Sequence, residues 1–173
     1  MTNATKSRVT TQVYQVYIKA SGQAIWDAIT KPEWSARYGY GGRVEYDLRP
    51  GGAYRGLASE AMKRYGAEMG RSIQEVVTDG EVIEADPPRR LVQTYRGAWD
   101  ESMSAEGFTR LTWEIHEMPG GVSKLTVVHD LEGAPRMAAL LGGELESEGF
   151  GGGWSEILSS LKTLLETGRP LRG

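Results

Sequence analysis

Apolar and polar residues alternate with a period of two over much of the chain between residues 43 and 131. In RVEYDLR, residues 43–49, every second side chain is apolar, the pattern of a strand with one buried face. Turn residues such as Pro50-Gly51-Gly52 and Pro119-Gly120-Gly121 separate the segments. Short turns between consecutive strands predict an antiparallel meander. The further predicted strands are residues 53–58, 78–86, 90–99, 109–117 and 123–131.

Helical patterns precede and follow this region. A strand is predicted at 13–18, VYQVYI, followed by a helix with Ser21 as N-cap and a short helix with Pro32 in its first turn. Residues 59–70 have weak helical character, and a short helix is predicted after Pro135. The last helix starts at Trp154 and carries one apolar stripe, formed by Trp154, Ile157, Leu158, Leu161 and Leu165.

This order of elements predicts an α+β fold. Residues 1–12 read as an N-terminal tail and residues 13–170 as a single domain. An antiparallel sheet buries one face, and the stripe of the C-terminal helix is the longest apolar surface available to cover it. A curved sheet around that helix is therefore expected.

Strand periodicity also predicts which side chains face the helix. On strand 123–131 the inner set includes His129, and Asp130 points away, so the two cannot form a side-chain dyad. On strand 109–117, Trp113 faces in and His116 faces out. Strand 80–86 is ambiguous, because two sets are equally compatible with the pattern: Val82 and Glu84, or Glu81, Ile83 and Ala85.

The inner face combines large aromatic rings with a few polar tips, a composition typical of small-molecule pockets. The same rings could simply fill the core, and an inward histidine is commonly satisfied by a carbonyl or hydroxyl. The candidate ligand-binding residues are Tyr46, Tyr54, Tyr95, Trp99, Trp113, His129 and Trp154.

Composition excludes several function classes. The chain of 173 residues has no cysteine and two histidines, so neither a metal site nor a cofactor is expected. A net charge of −3 argues against nucleic acid as a partner. No apolar run approaches the length of a membrane span, and the polar N-terminus does not resemble a signal peptide, which predicts a cytoplasmic protein. No Gly-x-Ser-x-Gly element or Cys/His pair suggests a nucleophile.

Several segments together resemble a known family. They are YIKAS (17–21), DLRPGG (47–52), GEVIEADPPRRLVQTY (80–95), LTWEI (111–115), LTVVHD (125–130) and GGGWSEILSSLKTLLETG (151–168), with Trp26. In this order they resemble the bacterial branch of the heat-shock-protein-90 ATPase activator homologue family, within the SRPBCC (START-like, birch-pollen-allergen-like) superfamily. The resemblance implies a helix-grip fold, in which about seven antiparallel strands wrap a long C-terminal helix around a hydrophobic cavity. It brings no catalytic motif to these residues, because the superfamily hosts carriers, receptors, cyclases and co-chaperone domains.

Three functions follow as hypotheses. The first is binding of a small hydrophobic or aromatic molecule between the sheet and the Trp154 helix, with weak catalysis or none. The second is a cyclase, dehydratase or isomerase that uses His129, Glu81 or Glu84 as acid or base. The third is a co-chaperone-like interaction module, which would need an exposed apolar patch and no cavity. The sequence allows a homodimer but does not require one.

Overall fold

The computed structural model describes residues 10–172 and contains one seven-stranded antiparallel sheet. Its spatial order is β1-β7-β6-β5-β4-β3-β2, so the first and second strands of the chain form the two edges. The predicted α+β helix-grip architecture is confirmed. The strands are β1 (Thr11–Ile18), β2 (Arg43–Tyr46), β3 (Ala53–Leu57), β4 (Val76–Asp86), β5 (Arg90–Gly97), β6 (Thr109–Met118) and β7 (Val122–Asp130).

Six α-helices and one short 3-10 helix accompany the sheet. The longest, α6, ends at Gly168, whose φ of 72° is the left-handed conformation that glycine adopts without strain. The helices are α1 (Gly22–Thr30), α2 (Pro32–Ser35), α3 (Glu60–Glu68), α4 (Glu101–Ser104), α5 (Pro135–Leu141) and α6 (Trp154–Thr167), with the 3-10 helix at Glu146–Glu148.

Local side-chain chemistry explains where the first helices begin. The Ser21 hydroxyl accepts a hydrogen bond from the backbone N–H of Ala24 at the start of α1. Pro32 opens α2, where its missing N–H costs no helical hydrogen bond. Ser59 caps α3 by accepting from Met62 N–H, so the weak pattern at 59–70 does form a helix.

The structure differs from the predicted elements at several places. Strand β1 begins at Thr11 rather than at residue 13, because its pairing with β7 extends to Asp130. Of the predicted tail, residues 1–9 lie outside the described residues. Helix α4 was not predicted; Asp100 caps it through Met103 N–H. Strand β4 has a register shift between Val82 and Glu84.

The core lies between the inner face of the sheet and helices α1 and α6. As the alternation predicts, the inner residues of β6 and β7 are buried, and His129 is fully buried with them. Helix α6 buries Trp154, Leu158, Leu161 and Leu164, whereas Ile157 and Leu165 are partly buried at the edge of the stripe.

Candidate functional site

A cavity of about 480 Å³ remains where the sheet and the start of α6 do not meet. Strands β2 to β6 form its floor, and helices α3 and α5 with the loop before α6 form its walls. Its lining is mostly apolar, as in small-molecule sites. The apolar side chains on it are Ile29, Val44, Met62, Ile73, Val77, Trp99, Leu111, Trp113, Met137, Leu140, Leu141, Phe150, Trp154 and Ile157.

Six of the eight tyrosines of the chain line this cavity: Tyr38, Tyr40, Tyr46, Tyr54, Tyr65 and Tyr95. Protein atoms already bind the hydroxyls of the first five. Tyr46 Oη donates to Gln93 Oε1 at 2.6 Å, and Tyr38 Oη donates to the Ala28 carbonyl at 3.1 Å. The Tyr54 hydroxyl lies 2.9 Å from the Thr78 hydroxyl. The cavity is thus apolar with phenolic tips.

Tyr46, Tyr54 and Tyr95 stay neutral at physiological pH. Burial raises the pKa of Tyr46 and of Tyr95 well above 10, and neighbouring phenols add to the rise. Burial also raises the pKa of Tyr54 to about 12, although its hydrogen bond to Thr78 opposes the rise. These hydroxyls therefore serve as hydrogen-bond donors rather than as anions.

Three side-chain polar groups on the lining have no hydrogen-bond partner among the described residues. One is the Trp113 indole N–H, which protein atoms enclose completely. The others are the hydroxyl of Tyr95 and the indole N–H of Trp99, which are not enclosed in this way. A buried polar group without a partner is uncommon and costly, so each invites an explanation.

His129 is fully buried and does not line the cavity. It links α6 to the sheet through hydrogen bonds on both ring nitrogens. Trp154 Nε1–H donates to His129 Nδ1 at 3.2 Å, so the ring proton is on Nε2, which faces Thr109 Oγ1 at 2.7 Å. Thr109 Oγ1 in turn donates to the Tyr95 carbonyl at 2.8 Å. Burial lowers the pKa of His129 to about 4, against a small opposing effect of Asp130. Neutral His129 is therefore a structural link.

Of the seven residues predicted from sequence, six are brought together on the cavity wall: Tyr46, Tyr54, Tyr95, Trp99, Trp113 and Trp154. The seventh, His129, contacts two of these rings from behind, edge-on to Tyr95 at 5.2 Å and to Trp154 at 5.9 Å between ring centres. Its effect on the cavity is to position the two rings.

The expectation that Glu81 or Glu84 faces inward is wrong. Both are exposed: Glu81 faces out because its neighbour Val82 faces the core, and Glu84 faces out because the register shift after Val82 breaks the alternation and brings Ala85 toward the core. Glu84 lies near the Arg90 guanidinium, 3.4 Å away. Neither glutamate can act as an acid or base inside the cavity.

One carboxylate, that of Glu156, does lie on the cavity lining. It is already engaged, because its Oε2 accepts from Gly152 N–H at 2.7 Å and its Oε1 lies 3.0 Å from the Arg172 guanidinium. It holds the start of α6 in place.

The glycine-rich loop before α6 forms one rim of the cavity and is held by two tyrosines. Tyr65 Oη donates to the Gly149 carbonyl at 3.0 Å, and Tyr40 Oη accepts from Gly153 N–H at 3.1 Å. At Gly151, φ is 81° and an added Cβ would lie 2.6 Å from the Tyr40 ring. Glycine is required there because the loop backbone lies against that ring.

Tyr38, Tyr40 and Tyr65 line the cavity but were not among the residues predicted from the sequence. A usable signal was present, since the chain has eight tyrosines and only two phenylalanines. Phenylalanine would fill a core equally well without a hydroxyl, whereas each buried tyrosine hydroxyl needs a hydrogen-bond partner. The excess of tyrosine therefore indicates more than a packed core.

A second depression of about 890 Å³ lies beside β3, β4 and α4. It is larger, but its wall includes the charged side chains of Arg55, Glu75, Asp79 and Glu101. We regard the smaller cavity as the better candidate for an apolar ligand because its lining is predominantly apolar and aromatic. Within residues 10–172, no helix is long and apolar enough to cross a membrane.

A comparison with models of known protein families finds a match that covers most of the chain. The family profile described as "Activator of Hsp90 ATPase homolog 1-like protein" matches residues 19–166. Among proteins with curated descriptions, none matches this sequence.

Several solved structures share the fold at low sequence identity. Protein MLL2253 from Mesorhizobium loti superposes with a TM-score of 0.62 at 17% identity, covering 90% of this chain and 96% of that one. An Hsp90 activator from Plasmodium falciparum gives 0.52 at 17% identity, with coverages of 70% and 73%. DynU16, a protein of the dynemicin biosynthetic locus, gives 0.60 at 20% identity, with coverages of 93% and 49%. At these identities the likeness concerns the fold alone.

Proposed function

The chain belongs to the activator of Hsp90 ATPase homolog 1-like family, and from that premise we propose that it binds a small hydrophobic, aromatic molecule in the cavity between the sheet and α6. The observation that carries the proposal is the cavity itself, about 480 Å³ of space bounded by tyrosine and tryptophan rings. Aromatic rings favour offset or edge-on contact with another aromatic ring. The proposed ligand contacts are Tyr46, Tyr54, Tyr95, Trp99, Trp113 and Trp154.

A binding role fits the chemistry of the lining better than catalysis does. Acid or base chemistry needs a titratable group within reach of the ligand and with a suitable pKa. The predicted glutamates are on the outside, His129 is occupied on both ring nitrogens, and Glu156 is paired with Arg172.

The affinity expected of such a site can be worked out from area. Burying about 300 Å² of apolar ligand surface at about 25 cal/mol/Å² gives about 7 kcal/mol before ordering costs. Before those costs are subtracted, this corresponds to a dissociation constant on the order of 10 μM, which is the tightest binding that this area allows. A neutral fluorescent naphthalene such as N-phenyl-1-naphthylamine is a suitable probe.

The test reduces the cavity by adding bulk on its lining. The double variant Val44→Trp with Ile157→Trp places two larger rings there, and we expect binding of the probe to fall at least tenfold. The control variant Val13→Trp with Ile83→Trp has the same composition but changes two exposed positions. Equal binding by both variants would refute the proposed site.

A further inference from the structure

Five of the six cavity tyrosines have a hydrogen-bond partner in the protein, and Tyr95 does not. The bonded hydroxyls contact Ala28, Phe150, Gln93, Thr78 and Gly149, in the order of their tyrosines along the chain. Among residues 10–172 nothing accepts from or donates to Tyr95 Oη. It is also not among the atoms that protein fully encloses, unlike Trp113 Nε1.

The Tyr95 ring is held firmly although its hydroxyl is free. Its centre lies 6.1 Å from that of Tyr54 in a stacked arrangement, and His129 meets it edge-on at 5.2 Å. Its carbonyl accepts from Thr109 Oγ1. A fixed ring that presents an unused donor to an apolar cavity is an arrangement that orients ligands.

An apolar ligand without an acceptor is disfavoured in such a place. It would displace water from the Tyr95 hydroxyl and leave that donor without a partner, and an unpaired donor costs more than a typical hydrogen bond gains. The lining therefore discriminates against ligands that cannot accept a hydrogen bond from the Tyr95 hydroxyl.

The charges around the cavity indicate the kind of acceptor. No lysine, arginine or histidine lies on the lining, and its single carboxylate is that of Glu156. A carboxylate or phosphate ligand would find no cation there, and buried unpaired charge is expensive. A neutral acceptor suits these surroundings, and a carbonyl oxygen is the simplest one.

We infer that the natural ligand is a neutral aromatic ketone or quinone whose carbonyl oxygen accepts a hydrogen bond from Tyr95 Oη–H. This inference rests on the proposed function and adds a polar anchor to it. Tyr95 is a binding residue in this scheme, and no bond is made or broken.

The experiment uses two probes of the same shape, 2-acetylnaphthalene and 2-isopropenylnaphthalene, in which C=CH₂ replaces C=O. Binding is measured by quenching of tryptophan fluorescence for the unmodified protein and for Tyr95→Phe. The variant keeps the ring and removes a hydroxyl that bonds to nothing in the protein, so it should remain folded. We expect the ketone to bind Tyr95→Phe about fivefold more weakly, and the alkene to bind it equally or better.

The control is Tyr46→Phe, which removes a hydroxyl that already donates to Gln93. It should change the affinities for ketone and alkene by the same factor. The infrared carbonyl stretch of the bound ketone gives a second readout, at lower frequency in the unmodified protein than in Tyr95→Phe.

The outcomes separate the two proposals. If Tyr95→Phe alters both affinities equally and leaves the carbonyl stretch unchanged, the anchor is refuted while the cavity remains a binding site. If neither probe binds the unmodified protein, the proposed function fails, and the anchor fails with it.

Discussion

Protonation of His129 should destabilise the fold in mild acid. In the native state His129 Nδ1 accepts from Trp154 Nε1–H, and a proton on Nδ1 would place two donors against each other. Burial lowers the pKa of His129 from 6.5 to about 4. Neutral His129 therefore makes its full contribution to the free energy of unfolding above pH 6.5. This contribution is lost as the pH falls through 6.5 toward 4, because the unfolded chain takes up the proton first.

The magnitude follows from the size of this pKa shift. At 1.36 kcal/mol per pKa unit, the free energy of unfolding falls by about 3 kcal/mol in total, and about 2.5 kcal/mol of this is lost by pH 4.5. This is a large share of the stability of a typical domain. Carboxylates also titrate in this range, so the effect of His129 must be separated from theirs.

The assay compares urea unfolding at pH 7.5 and pH 4.5 for the unmodified protein and for His129→Gln. Glutamine offers an acceptor to Trp154 and a donor to Thr109, but it does not titrate. We expect the unmodified protein to lose about 2.5 kcal/mol more than the variant between the two pH values. A proton titration of the His129 ring by NMR checks the cause directly. Equal losses in both proteins, or a His129 ring that titrates above pH 6, would refute the reasoning.

Two further predictions concern the scaffold and use the same unfolding assay at pH 7.5. Ser21→Ala removes the side-chain cap of α1 and should lower the free energy of unfolding by about 1 kcal/mol; an unchanged value would mean that the cap is dispensable. Gly80→Ala would place a Cβ 2.0 Å from the Thr94 carbonyl oxygen on the neighbouring strand and should cost at least about 2 kcal/mol, so full stability in this variant would contradict the close approach of β4 and β5.

The strands were predictable because each carries its own periodic signal. The alternation along β6 and β7 correctly placed Trp113 and His129 on the inner face. The signal failed at β4, where a register shift after Val82 turned Glu84 outward although Val82 faces the core. A shift of this kind depends on pairing with the neighbouring strand and leaves no periodic trace in the sequence.

The candidate site was predictable in its residue types but not in its contacts. Aromatic side chains on the inner face could be named, yet Tyr40 and Tyr65 reach the cavity from a loop and from α3, which have no strand periodicity. The role of His129 was also open, since a carbonyl, a hydroxyl or a ligand would each satisfy an inward histidine.

The sequence by itself determined the α+β order of elements, the buried face of most strands and the aromatic character of the interior, because these depend on neighbours along the chain. The tertiary structure decided that the sheet and α6 leave space between them, that Trp154 bonds to His129, and that Tyr95 alone among the cavity tyrosines lacks a partner in the described residues. Those properties depend on distances between atoms tens of residues apart, such as the 2.6 Å between Tyr46 Oη and Gln93 Oε1. No local pattern encodes such distances; only the packing of the whole domain sets them.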